Sequence, residues 1–301
     1  MSELRRTQEL VTDHGWTHYD LRKARQSDEL VRVRRGSYIG STVADARQRH
    51  LDLIRATLPE IRDGSVVSHA SAAAVHGIPV ANDAWTRVWA TRPGGGNGRI
   101  GPVLHLRRCR LDDAEITVID GIPVTSLERT AVDLARGRSQ EWGVIACDAA
   151  AAAGADLGLV SAIVASMRKW PGAKRAAWAL AFVDPLAQSP LESISRLQMH
   201  RLGFPVPITQ FPVFRDGVLV ATCDFGWEGH RLVGECDGKF KYADLLRPGE
   251  RPEDAVMREK HREERIRGAG FWISRWSWHD AWHPDRLRSI LTAGFASAPH
   301  H

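Results

Sequence analysis

Apolar side chains recur along this chain with two different periods, and the switches between them mark its elements. Residues 4–14 and 17–26 repeat at helical spacing, with Thr17 as an N-cap and Asp20 three residues on. From 29 to 40 the period shortens to two. Leu30, Arg32 and Arg34 alternate with Val31, Val33 and Arg35, and Gly36 supplies a turn, which predicts a β-hairpin with basic residues on one face. Residues 66–80 read as a small-residue helix stopped by Gly77 and Pro79. Residues 85–91 and 103–108 read as strands, with Pro-Gly-Gly-Gly-Asn-Gly (93–98) as a hairpin tip between them. Residues 121–136 predict a helix capped by Thr125 or Ser126. The stretch 137–185 is Ala-rich and helical, broken near Gly154 and at Pro171-Gly172, with Lys169, Lys174 and Arg175 on a basic edge. After Asp184-Pro185 the pattern predicts a helix (190–201), strands (210–214, 219–226, 231–237), a charged helix (252–268), a strand (271–278) and a last helix (284–293).

Three segments follow: 1–60, 61–185 and 186–301. In the first, two helices and a basic hairpin resemble a winged helix-turn-helix, a DNA-binding element in which Arg32, Arg34 and Arg35 would meet phosphates; a small solvated α/β lobe shows the same pattern. The length of 301 residues suits about two domains. Net charge is +5 and the pI about 9.3, a mild basic bias compatible with a polyanionic partner. The cysteines, Cys109, Cys147, Cys223 and Cys236, form no Cys-x-x-Cys pair, which argues against a zinc ribbon or a disulfide framework. The start carries Arg5 and Arg6 with no apolar run behind them, so no signal peptide is expected. No apolar stretch reaches the roughly 20 residues of a membrane helix. A reducing, cytoplasmic location is the expectation.

Candidate chemistry concentrates between Cys223 and Lys239. Asp224 opens one apolar-flanked strand. Glu235, Asp237 and Lys239 alternate along the next and so share a face. Two carboxylates ~4 Å apart repel by about 4 kcal/mol at an effective dielectric near 20, and a divalent cation turns that repulsion into binding. Salt bridges to Arg or Lys would satisfy Asp224 and Glu235 as well. Glu192 closes Ser189-Pro190-Leu191-Glu192, a capping box that needs no metal. Lys239 and Lys241 read either as site residues or as solvated loop charges. Trp272, Trp276 and Trp278 share one strand parity and, with Trp282, read as a packed face sooner than as base-stacking platforms. His69 and His76 read as packing residues at a helix edge.

Helix-Glu, strand-Asp, then Glu-x-Asp-Gly-x-Lys resembles the PD-(D/E)XK nuclease superfamily, in its Vsr-like branch. Ser-Pro-Leu-Glu-Ser (189–193), Cys-Asp-Phe-Gly-Trp (223–227), Gly-Glu-Cys-Asp-Gly (234–238), Arg-Glu-Lys-His-Arg-Glu-Glu-Arg (258–265) and Ile-Ser-Arg-Trp (273–276) fit the same domain. The resemblance covers about 189–293. It implies an α/β domain with a mixed sheet flanked by helices, and Glu192, Asp224 and Glu235 as an acidic triad around Mg²⁺ or Mn²⁺. The superfamily's Lys should stand two residues after Glu235, where this chain has Asp237. Either Asp237 joins the metal shell, or Asp237-Gly238-Lys239 is itself the D-x-K element.

The preceding region is similar to AbiEi-type antitoxins of type IV toxin–antitoxin systems, through Ser-His-Ala-Ser-Ala-Ala, His-Gly-Ile-Pro and Gly-Ile-Pro-Val-Thr-Ser-Leu-Glu-Arg-Thr-Ala-Val-Asp-Leu. That likeness implies an α+β region with a winged-helix-like element, and a cognate toxin or its operator as partner. The combined expectation is a DNA-binding protein with a metal-dependent endonuclease domain. In it Glu192, Asp224, Glu235, Asp237 and Lys239 are catalytic, and Lys260 and Arg262 of the 252–268 helix join the hairpin arginines on DNA. The alternative is a non-catalytic antitoxin or repressor with a degenerate nuclease fold.

Overall fold

Backbone pairing overrides helical period in the first residues. In the computed structural model, which describes residues 4–40, 45–61, 64–137, 139–237 and 251–299, Arg5–Arg6 form a short strand β1, and helix α1 is confined to Thr7–Thr12. Strand β1 pairs with Ser37 and Tyr38, and the Arg6 N–H donates to Glu9 Oε2 at 2.9 Å, which sets the helix start. Helix α2 (His18–Gln26) begins at the expected reciprocal cap: the Asp20 N–H donates to Thr17 Oγ1, and the Thr17 N–H to Asp20 Oδ2. Strands β2 (Leu30–Arg34) and β3 (Ser37–Gly40) form the hairpin, in a sheet of order β1-β3-β2. Leu10, Leu21, Ala24, Leu30 and Tyr38 make its core.

The chain divides into two compact units, Met1–Ala146 with Ala155–Leu180, and Cys147–Gly154 with Ala181–His301. The first unit continues with α3 (Ala46–Thr57), β4 (Val66–Val67), α4 (His69–His76), β5 (Val88–Pro93), β6 (Arg99–Ile100), β7 (Leu104–Cys109), β8 (Ile116–Ile119), β9 (Ile122–Thr125) and α5 (Leu127–Gly137). Six strands form a mixed sheet of order β6-β7-β5-β4-β9-β8. Val66 and Val67 are sheet, not helix, because they pair with Thr91, Ala90 and Val124, where β-branched side chains pack well. The alanines of α4 let the helix lie buried beside the sheet over His69–Ala74. Ser126, not Thr125, caps α5: its Oγ accepts the Arg129 N–H at 3.2 Å, while Thr125 ends β9. Helices α6 (Gln140–Ala152), α7 (Leu157–Ser166) and α8 (Ala173–Ala181) follow.

The second unit runs α9 (Pro190–Leu202), β10 (Ile208–Arg215), β11 (Val218–Trp227), β12 (Leu232–Asp237), α10 (Pro252–Gly268), β13 (Trp272–Ser277), α11 (Trp278–Ala281) and α12 (Pro284–Ser297). Its sheet has order β10-β11-β12-β13. The first two pairings are antiparallel and the last is parallel, as a strand reached through a crossover helix requires. Val213, Cys223, Val233 and Ile273 pack with Ile266 of α10 on one face. On the other, Trp276 stacks on Phe225 and donates its Nε1–H to Ser195 Oγ of α9 at 2.7 Å. Strand β13 ends one residue sooner than its pattern suggests. Ser277 caps α11, so Trp278 is helical and its ring packs against Trp282 instead of joining Trp276 on the sheet. The architecture is thus mixed α and β, with an N-terminal sheet-and-helix region and a C-terminal mixed sheet flanked by helices. No helix among the described residues is long and apolar enough to cross a membrane.

Candidate functional site

The centre of the second sheet is where its ladder opens. Strands β11 and β12 pair at Trp227↔Leu232, Gly226↔Val233 and Phe225↔Gly234. One step further, the Asp224 carboxylate takes the place of a ladder carbonyl and its Oδ2 accepts the Cys236 N–H at 2.6 Å. Regular alternation breaks here as well. Cys223 packs on the α10 side whereas Phe225, two residues on, stacks on Trp276 across the sheet. Burial raises the Asp224 pKa to about 7. The Cys236 N–H and Arg262 pull it down; the negative charges of Glu192 and Glu235 push it further up.

Glu235 and Asp237 lie on the α10 side of β12, with Val233. Arg262 reaches from α10 and forks onto Glu235, Nη1 to Oε2 at 2.9 Å and Nη2 to Oε1 at 2.8 Å. Its Nη2 also donates to the Thr222 carbonyl at 2.8 Å, and Nη1 to Glu259 Oε1 at 3.3 Å. The parallel register sets Arg275 beside Glu235, and Arg275 bridges Glu259 at 2.9 Å and Glu263 at 3.1 Å. A charge-assisted bidentate pair is among the stronger polar interactions available to a carboxylate. Glu235 therefore already has its counter-charge.

Glu192 is buried and fully engaged. Ser189 Oγ donates to Oε1 at 2.7 Å; the Gln188 N–H and Gln210 Nε2 each donate to Oε2 at 3.0 Å. The cap is real, and Gln210 extends it. The expected triad is brought near one another, since Glu192 and Glu235 both act on Asp224. Yet among the described residues no group of three or more His, Cys, Asp or Glu side chains is arranged to hold a metal ion. Both oxygens of Glu235 accept from Arg262, and both oxygens of Glu192 accept from neutral donors. Lys239 lies outside the described residues.

The basic candidates divide. Arg34 is drawn inward, paired with Glu60 at 2.6 Å, its Nη1 reaching the Ala56 carbonyl at 3.4 Å. Arg32 and Arg35 are exposed on the hairpin, and Lys260 is exposed on α10. Helix α2 adds basic residues that the sequence pattern did not bring forward: its exposed side chains include Arg22, Lys23 and Arg25, with Tyr19 71% exposed. The signal was present: Leu21 and Ala24 bury one face and leave those residues on the other. Arg262 reaches Glu235; its register against that carboxylate is a tertiary fact that no local pattern carries.

No protein-family profile matches this chain. The uncharacterized proteins Rv2248 and MT2308 of Mycobacterium tuberculosis, from strains H37Rv and CDC 1551, are each 28% identical to it over 176 residues, 58% of this chain and 62% of theirs. The match thus spans less than two thirds of those relatives' length. A crystal structure of the Rv2827c protein from Mycobacterium tuberculosis aligns with 70% of this chain and 78% of its own at 17% identity and a TM-score of 0.39, a likeness too slight to assign a fold or a function.

Proposed function

We propose that this chain is a DNA-binding regulator of the antitoxin or repressor type, in which the nuclease-like C-terminal domain serves as a binding module and does not cut. The observation that carries this reading is the Arg262 fork on Glu235 at 2.8 and 2.9 Å. Arginine stays charged at any physiological pH, so it supplies a standing counter-charge to the carboxylate that a nuclease would give to its metal. Asp237, standing where the superfamily has its lysine, points the same way. DNA binding falls to the exposed faces of the first unit: Arg22, Lys23 and Arg25 of α2, with Arg32 and Arg35 of the hairpin. A cognate toxin, or the operator controlling it, is the partner class this reading implies.

The test is salt-dependent binding to duplex DNA, read by fluorescence anisotropy. Joint replacement of Arg22, Lys23 and Arg25 by Ala is expected to weaken binding and to flatten the log–log salt slope by about 0.9 for each phosphate no longer neutralised. Joint replacement of Arg32 and Arg35 should do the same on a smaller scale. A slope untouched by both variants would remove the first unit from the DNA interface.

A second reading, a Mg²⁺-dependent endonuclease, keeps one observation in its favour: Asp224 is half-buried near two other carboxylates, with a pKa raised to about 7. It requires Arg262 to release Glu235, and so predicts metal-dependent cleavage that the regulator lacks.

A further inference from the structure

The first unit holds a cavity of about 270 Å³ lined by His69, Arg107, Arg108, Cys109, Asp133, Arg136 and Trp170, among others. Four elements build it, helix α4 contributing His69. Strand β7 supplies Arg107, Arg108 and Cys109. Helix α5 supplies Asp133 and Arg136, and Arg129 falls on the same helical face outside the lining. The turn after α7 supplies Trp170. That turn is held close: Gly172 has φ 79°, and a Cβ there would run into the carbonyl of Arg136, so the backbone can pass only as glycine.

The polar groups around the cavity are arranged unequally. Arg129, almost wholly buried, is spent on structure. It donates to Asp133 Oδ2 at 3.0 Å, Glu115 Oε2 at 2.8 Å, the Arg110 carbonyl at 3.3 Å and Cys109 Sγ at 3.3 Å. Arg136 gives one N–H to Asp133 Oδ1 at 2.9 Å and lies over the Trp170 ring at 4.8 Å. Its side chain is only 9% exposed, yet its buried Nε has no hydrogen-bond partner among the described residues. A buried, unsatisfied guanidinium nitrogen is costly unless something fills the need.

Arg107 is exposed and is aimed by His69, its Nη1 lying 3.0 Å from His69 Nε2. A guanidinium has only donors, so that nitrogen accepts, and His69 Nδ1–H donates to Ser68 Oγ at 3.0 Å. Burial holds the imidazole neutral, with a pKa of about 4. His69 also adopts φ 53°, a left-handed conformation that a histidine takes only when its surroundings impose it. Three lining guanidiniums, Arg107, Arg108 and Arg136, face one lining carboxylate, Asp133, while Arg129 and Glu115 offset each other outside the lining. The cavity therefore carries an excess of two positive charges, with Trp170 and Pro171 as an apolar wall. The Cys109 thiol is raised in pKa by burial and engaged by Arg129, so it is not a nucleophile.

We infer that this cavity binds a phosphate monoester carried on a small flat organic group, with Arg107 and Arg136 gripping the phosphate and Trp170 flanking the group attached to it. A phosphate dianion matches the charge excess, and its three terminal oxygens match forked donors better than a single carboxylate does. The volume lies just below the 300–1,000 Å³ of drug-sized ligands, larger than phosphate alone needs. The ester can come from a free mononucleotide or from the 5′ end of a nucleic-acid strand.

The experiment is calorimetric titration of the full chain with adenosine 5′-monophosphate against adenosine, and with a 5′-phosphorylated DNA oligonucleotide against its 5′-hydroxyl twin. The phosphorylated member of at least one pair is expected to bind more tightly by about tenfold or more. If only the nucleotide pair discriminates, the source is a free nucleotide; if only the strand pair does, it is a strand end. Arg107→Gln, at an exposed position, and Arg136→Lys, which keeps the charge beside Asp133, should each erase most of that preference. Arg215→Gln, an exposed arginine of the second unit, should leave it intact. Equal binding of phosphorylated and unphosphorylated members in both pairs, or full preference retained in a folded Arg107→Gln variant, overturns the assignment.

Discussion

Two demands conflict at Asp224. Burial and two neighbouring carboxylates favour its protonated form, while the Cys236 N–H at 2.6 Å rewards its oxygen as an acceptor. The folded pKa, about 7, exceeds the ordinary 3.8, so the native chain holds a proton where the unfolded chain has released it. Stability from this group is full below about pH 4 and is lost as pH rises through about 7. Asp224→Asn keeps an oxygen for Cys236 and removes the charge. It is expected to change stability little at about pH 4 and to raise the urea midpoint at about pH 8. Equal losses at both pH values would mean that the carboxylate is not strained by its neighbours. Glu235 makes the converse case, a charge satisfied by Arg262. Arg262→Ala should cost about 1–3 kcal/mol by leaving Glu235 half-buried and unpaired. Adding Glu235→Gln should recover part of that loss, with a coupling of at least ~0.5 kcal/mol in the double-mutant cycle. Strict additivity would show that the fork contributes nothing in solution.

At the scale of elements, the second unit was largely legible. Helix α9, the three strands after it, α10, β13 and α12 lie close to where periodicity sets them, because capping residues and period-two runs agree there. Segment 93–98 is not the tip of a hairpin between its flanking strands, since β5 and β7 pair in parallel and β6 is the antiparallel partner of β7; several other misses share a cause. Residues 5–6, 66–67 and 278 have side chains compatible with either state, and a partner strand or a cap decides them. The packing between elements was not legible. Gly234 looks like an ordinary strand glycine, yet a Cβ there would meet the Trp276 ring across β12 and β13. Gly234→Ala is therefore expected to destabilise the chain by about 1–3 kcal/mol through overpacking, read as a lowered urea midpoint. A neutral effect would show that Trp276 can shift aside, and that this face of the sheet is looser than its burial suggests.

At the scale of the molecule, the candidate residues are legible in the sequence but their pairings are not. Asp224 and Glu235 stand out in the sequence as carboxylates in apolar strands that disfavour them, and Glu192 as a helix cap; Glu192 and Glu235 both act on Asp224. Which cation answers them is a question of register between α10 and β12, and Arg262 answers it for Glu235. The most direct test combines binding and cleavage on one preparation. Supercoiled plasmid, and linear duplex, single-stranded and mismatched DNA, are incubated with the full chain in Mg²⁺ or Mn²⁺, beside the Glu235→Gln variant. Salt-dependent binding without nicking by either protein is the predicted result. Metal-dependent nicking by the wild type that vanishes in Glu235→Gln, with binding retained, would contradict the regulator reading and establish the nuclease.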